Sequence, residues 1–190
     1  RGEDVEMSIA LFLEDAYKGE SRTISFEVPV FNEQGQLVYE RRTLNVKIPA
    51  GVTEGERIRL KGQGAPGIGD APNGDLYLQI QFAPHPLYLV EGIDLSITTP
   101  VAPWEAALGC KLQVPTLEGS INVTVPANSQ NGQRLRIKGK GLGKSDKRGD
   151  LYVILRVSLP AKVSDREAKL WRELAEVSSF DARENWGQAS

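Results

Sequence analysis

The sequence predicts a mostly β protein: two tandem, similar, small β-sandwich-like domains followed by a short C-terminal dimerisation helix. Three observations predict it. The chain contains an internal duplication, both copies alternate apolar and polar residues with period two, and a helical pattern occurs only near the end. The expected boundaries are residues 1–89 for the first domain, 90–163 for the second and 164–190 for the helix and tail. At 190 residues the chain suffices for one large domain or two small ones, and its 19 Gly and 11 Pro point to many turns.

Segment 44–64, LNVKIPAGVTEGERIRLKGQG, aligns without a gap on segment 121–141, INVTVPANSQNGQRLRIKGKG, at an offset of 77. The string GDLY occurs at Gly74–Tyr77 and again at Gly149–Tyr152. Upstream, Asp4, Ala16 and Gly19 match Asp94, Ala106 and Gly109 at an offset of 90, so the first copy carries 13 extra residues near Phe31–Thr43. That insert holds Asn32-Glu33-Gln34-Gly35-Gln36 between apolar ends and reads as an added hairpin.

The elements follow in order. Val5, Met7, Ile9, Leu11 and Leu13 alternate with mostly polar or small residues, the mark of a strand with one apolar face. Glu14–Lys18 is one helical turn ended by Gly19, and Trp104–Leu108 is its counterpart ended by Gly109, where a left-handed cap suits glycine. Ile24, Phe26 and Val28 alternate with Thr23, Ser25 and Glu27. Ile58–Lys61 and Leu135–Lys138 form short alternating strands, and Leu76–Phe82 and Leu151–Val157 close the two copies. At the end, Ser164 and Glu167 fit a capping box, and Leu170, Trp171, Leu174 and Val177 form one apolar stripe. Phe180 and Trp186 in the polar tail suggest that part of it docks.

Several motifs resemble chemistry and lack its context. Gly62-Gln63-Gly64-Ala65-Pro66-Gly67 satisfies a dinucleotide fingerprint, but prolines follow it where a helix must begin. Gly143-Lys144-Ser145 ends like a P-loop, yet Lys138 stands where that motif needs glycine. The one histidine, His85, lies between two prolines in a stiff connector and reads as structural. The one cysteine, Cys110, permits no internal disulfide or cysteine-built zinc site and reads as a small buried thiol in a reducing, cytoplasmic compartment. No catalytic constellation, metal ligand set or cofactor motif emerges, so the chain reads as non-enzymatic and without cofactor. No apolar run approaches a membrane span. The chain opens on Arg1 without Met, which suggests a fragment of a longer protein.

Net charge is −2, but unevenly spread: residues 1–90 carry 9 basic and 13 acidic side chains, and residues 91–190 carry 14 and 12. Seven of the basic residues fall between Arg134 and Arg148. That run suits phosphate or an acidic partner; the plainer reading is a solvated hairpin face.

The strings LxVxIPAGVxEGxRIRLKGQGxPG, PNGDLYL, PHPLY, PWEAALG, VPTLEG and RGDLYV resemble the C-terminal region of DnaJ-type co-chaperones, over nearly the whole chain. A single cysteine excludes the zinc domain that some members insert, and the helical J-domain with its His-Pro-Asp triplet is absent. The tail SSFDARENWG and Ala102-Pro103-Trp104 most resemble the bacterial curved-DNA-binding subgroup. The resemblance implies a client-binding and dimerisation fragment that works with a DnaK-type chaperone, with DNA as a second ligand and a nucleoid association. It implies that Met7, Ile9, Leu11, Ile24, Phe26 and Leu78 line a client groove beside a strand that accepts extended peptide. The alternative is that these six are simply sandwich core. Arg22 matches a basic position expected to hold an acidic tail of the DnaK-type partner. Thr99 stands where the first copy has Ile9, so the second groove looks poorer. Lys138, Lys140, Lys144, Lys147 and Arg148 are the candidate phosphate contacts. Leu170, Trp171, Leu174 and Val177 are expected to pair two copies into a homodimer.

Overall fold

The computed structural model describes residues 1–187. It divides into two units, Arg1–Val157 and Ser158–Ser190; the last three positions of the expected 164–190 segment lie outside the described residues.

In the first unit, the duplication is visible as one element order used twice. The first copy runs β1 (Val5–Leu11), α1 (Leu13–Lys18), β2 (Glu20–Phe31), β3 (Leu37–Ile48), β4 (Arg57–Leu60) and β5 (Leu76–Phe82). The second runs β7 (Asp94–Val101), α2 (Pro103–Leu108), β8 (Cys110–Thr116), β9 (Gly119–Val125), β10 (Arg134–Ile137) and β11 (Leu151–Val157), with β6 (Tyr88–Glu91) inserted between the copies. The first copy forms a three-stranded sheet ordered β1-β5-β4 and a separate β2-β3 hairpin; the second forms a sheet ordered β10-β11-β7-β6 and a β8-β9 hairpin. In both, the opening and closing strands pair in parallel, from Val5 opposite Leu76 and from Leu95 opposite Leu151.

Alternation decides the packing, because successive side chains on a strand face opposite ways. Ile9, Leu11, Ile24, Phe26, Val28, Val46, Ile48, Leu76, Leu78 and Ile80 meet in one buried cluster. Leu95, Ile97, Val101, Val114, Val123, Val125, Leu151, Val153 and Leu155 meet in the other. Each such side chain contributes roughly 1.5–3 kcal/mol on burial. Leu13 of α1 belongs to the second cluster, 1% exposed, so the first copy sends a side chain into the core of the second.

The repeated strings have a structural cause. The Asp75 carboxylate accepts the Gly62 N–H at 2.7 Å and Arg59 Nε at 2.8 Å, and the Asp75 N–H donates to Asp4 at 2.7 Å. Asp150 repeats this with Gly139 at 2.9 Å, Arg136 at 2.7 Å and Asp94 at 2.7 Å. The other arginine of each pair stacks on the GDLY tyrosine, Arg57 over Tyr77 at 4.7 Å and Arg134 over Tyr152 at 4.5 Å. The backbone N–H of Gly62, joined by Arg59, holds the Asp75 carboxyl below its ordinary range despite burial.

Four details differ from the sequence reading. The insert near Phe31–Thr43 is not a separate hairpin: β2 and β3 run 12 residues each, against 7 for β8 and β9, so one hairpin is lengthened. Its turn is pinned by Asn32 Oδ1, which accepts the N–H groups of Gln34 at 3.0 Å and Gln36 at 2.8 Å. Gly19 and Gly109 do have positive φ, 77° and 80°, but ψ near 155° takes them outside the left-handed helical region. Glycine is needed there because a Cβ would also come within 3 Å of backbone atoms at Ala50 and Ala127. The boundary at residue 89 falls inside β6, whose partner is β7 of the second copy, and residues 158–163 group with the helix rather than with the second domain.

His85 has the structural role expected of it. Its Nδ1 accepts the N–H groups of Leu87 at 3.0 Å and Tyr88 at 3.4 Å, which leaves Nε2–H to donate to Glu14 at 2.6 Å. Cys110 is half-buried, and burial followed by the nearby Glu105 raises its thiol pKa, so it is a poor nucleophile.

The second unit holds α3 (Asp165–Val177). Its capping box is as expected: Ser164 Oγ accepts the Glu167 N–H at 3.2 Å, and Glu167 accepts the Ser164 N–H at 3.2 Å. No residue of α3 is buried, and Phe180 and Trp186 are about 80% exposed.

Candidate functional site: a strand-edged core and a basic loop

The six groove candidates do come together. Met7, Ile9 and Leu11 share one face of β1, Ile24 and Phe26 share one face of β2, and Leu78 lies on β5 directly opposite Met7. The expectation that they line an open cleft is corrected by their burial. Leu11 and Leu78 are fully buried, and Ile9, Ile24 and Phe26 are 5–7% exposed. Two layers of sheet close over them, and Met7 alone of the six keeps a half-open surface. What the first domain presents is therefore an apolar core with two strand edges beside it: β1 ends its sheet, and β2 is paired only with β3. Arg22 bridges these edges at one end. It donates to the Ala10 carbonyl of β1 and pairs with Glu20 at 2.8 Å.

The five basic candidates separate into two groups. Lys138, Lys144 and Lys147 are exposed. Lys140 pairs with Glu118 at 2.6 Å, and Arg148 pairs with the same carboxylate while its guanidinium lies over the Tyr17 ring at 4.4 Å. Lys140, then Arg148, lower the Glu118 pKa. Arg148 thus joins the β8-β9 turn to α1 of the first copy, a structural use that competes with phosphate contact. Sequence reasoning missed Glu118 and Tyr17. The only signal was weak: Glu118 sits in VPTLEG, one of the strings that carry the family resemblance, and Tyr17 is 131 residues from its partner.

The dimerisation candidates form the apolar side of α3. Leu170, Leu174 and Val177 are 57%, 53% and 81% exposed, and Trp171 is half-buried. No helix among the described residues is long and apolar enough to cross a membrane.

The architecture agrees with comparison against known proteins. The family model described as the DnaJ C terminal domain matches residues 5–160. The chain belongs to the DnaJ C-terminal domain family. Similar relatives of this DnaJ C-terminal segment include three bacterial proteins each named "Curved DNA-binding protein". The one from Pseudomonas syringae pv. tomato is 57% identical over 188 residues, covering 98% of this chain and 60% of the relative. That from Pseudomonas putida is 56% identical over 190 residues, 99% of this chain and 60% of the relative. That from Escherichia coli O9:H4 is 54% identical over 191 residues, 100% of this chain and 62% of the relative. The chain therefore spans about three fifths of the length of these relatives.

Proposed function

We propose that this DnaJ C-terminal segment is the polypeptide-holding and dimerisation part of a co-chaperone, working with a DnaK-type chaperone in the cytoplasm. Unfolded clients add as a strand to the first domain beside its apolar core. The observation that carries this reading is the pair of free strand edges, β1 and β2, flanking one continuous apolar cluster. Main-chain hydrogen bonds at such an edge are indifferent to client sequence, and a neighbouring apolar surface adds affinity for one side chain. Met7, flexible and half-open, is the adaptable part of that surface. An acidic tail of the DnaK-type partner would take the place of Glu20 on Arg22. Two copies joined by α3 would present two such sites with avidity.

Because Ile9 and Phe26 are core, replacing them tests folding more than binding. Met7→Ser is the cleaner variant. It should keep the circular dichroism spectrum and lose suppression of aggregation of a denatured client; full retention of that activity would exclude the Met7 surface.

A second reading is supported by the relatives' printed name and by three exposed lysines around the β10-β11 loop: low-specificity DNA binding, with a nucleoid association. Nothing in the unit resembles a recognition helix, so charge and DNA shape would carry it. The two functions are compatible because their surfaces lie on different domains.

A further inference from the structure

On β10, Leu135 and Ile137 pack against the core, so Arg134 and Arg136 stand on the outer face of the second sheet. Lys138 continues the row one step past the strand, and all three are exposed. The offset of 77 places Arg57, Arg59 and Lys61 in the same row at β4 of the first copy. The two rows match in residue type and differ in what surrounds them.

In the first copy both arginines are ion-paired. Arg57 pairs with Glu6 of β1, and Arg59 pairs at 2.6 Å with Asp75, which also holds Arg1 at 2.9 Å. The loop that follows, residues 62–74, carries Asp70 and no lysine or arginine. In the second copy Ser96 stands where the first has Glu6. The Arg134 guanidinium lies over the Tyr152 ring at 4.5 Å, and no carboxylate pairs with it among the described residues. Arg136 pairs with Asp150 at 2.7 Å, and its side chain stays 60% exposed. Arg156, also exposed, replaces Gln81 on the same face, and the loop after the row adds the exposed Lys144 and Lys147. The acids beside the second row, Asp94 and Asp150, have counterparts in Asp4 and Asp75. Glu91 lies on β6, three strands from β10, or about 14 Å at the usual spacing.

We propose that the outer face of the second sheet, through Arg134, Arg136 and Lys138, holds duplex DNA by its phosphates, and that the matching face of the first copy does not. This rests on the DNA-binding reading and gives it a face, a contact type and a strand form. The row covers about 13 Å of extended chain, comparable to a few phosphates of one strand, which recur about every 3.4 Å of helix axis. A guanidinium stacked on a ring is held in one plane and still offers its N–H edge to a phosphate oxygen. The face is a sheet surface with no helix to enter a groove, so its contacts are to the backbone and carry no base readout. A single strand fits less well, because Tyr152 is the one aromatic of this face and Arg134 already covers its ring, leaving no platform for a base.

The test compares two double variants that lose the same two charges: Arg134→Gln with Lys138→Gln, and Arg57→Gln with Lys61→Gln. Binding of a labelled duplex of about 20 base pairs is followed by fluorescence anisotropy from about 50 to about 200 mM salt. The second-copy variant should bind at least about tenfold more weakly at low salt and lose about 1.8 from the log–log salt slope, whereas the first-copy variant should stay within about twofold of the parent. Circular dichroism checks both folds. Should either double variant misfold, Lys138→Gln and Lys61→Gln make the same comparison, with slope losses of about 0.9 and about zero. Equal losses from the two copies would mean that net charge alone matters, and they overturn the proposal. Tighter binding of a single strand of the same sequence overturns the duplex assignment. If the parent binds duplex and the second-copy variant binds equally well, this inference fails and the DNA-binding reading stands; if the parent does not bind duplex at low salt, both fail.

Discussion

Leu78→Ala separates core from groove more sharply than any other single change. Leu78 sits on the central strand of the first sheet, opposite Met7 on β1 and Ile58 on β4, and is fully buried. Truncation removes roughly three methylene equivalents at about 0.8 kcal/mol each, or about 2.4 kcal/mol of transfer energy. The surrounding strands are held in register on both sides, so the site cannot collapse freely, and the cavity left behind brings the expected cost to ~3–5 kcal/mol. Met7→Ala, at a half-open position on the end strand, should cost less than about 2 kcal/mol. The assay is urea unfolding followed by far-UV circular dichroism, because Trp104, Trp171 and Trp186 all lie outside the first domain and their fluorescence reports on other regions. A stability within about 0.5 kcal/mol of the parent, combined with loss of client binding, would refute the burial argument and restore Leu78 as a groove residue.

Three further outcomes follow from the same structure. Leu174→Glu places a charge in the exposed α3 stripe and should convert a dimer to monomers by solution mass measurement, with the β spectrum unchanged; an unaltered mass would exclude the stripe as the interface. Replacing Lys138, Lys144 and Lys147 with Ala should flatten the salt dependence of DNA binding, by up to about 0.9 in log–log slope for each phosphate no longer neutralised. Arg148→Ala should instead lower thermal stability, because it removes the stack on Tyr17 and the ion pair with Glu118, and leave that slope nearly unchanged. Acid should destabilise the first unit: Asp75, Asp150 and Glu118 have lowered folded pKa values, so their stabilisation is complete above the unfolded carboxylate range near pH 4 and disappears as pH falls through the folded values. Urea midpoints at pH 7 and pH 3 should therefore diverge less for Asp75→Asn than for the parent.

The duplication makes most of the fold legible. With 44–64 aligned on 121–141, each strand in one copy has a witness in the other, and the paired Arg and Gly-Asp-Leu-Tyr strings mark a shared scaffold without any knowledge of partner atoms. Alternation reveals which residues share a face, and it brings Met7, Ile9, Leu11, Ile24, Phe26 and Leu78 together correctly. It carries no information on how many layers cover that face, which is why the pattern of a core reads equally well as a cleft. Strand β6 is hidden in the sequence because four residues after a proline pair are too short for a period to show. The basic run misleads at Lys140 and Arg148 because a charge pattern along the chain is blind to a carboxylate or an aromatic ring brought in from elsewhere.

The two copies share a scaffold and differ where function would act. The features that repeat are internal: the carboxylate of Asp75 or Asp150 on a glycine N–H and an arginine, the arginine on a tyrosine ring, and the parallel pairing of first and last strands. The features that differ lie at the rim. The first copy has a longer hairpin, with Phe31, Leu37 and Tyr39 exposed by 65%, 53% and 65%, and β1 ends its sheet among the described residues. The second has a short hairpin and an edge covered by β6. The two copies are joined through Leu13 of α1, which enters the second cluster, and through the stack of Arg148 on Tyr17.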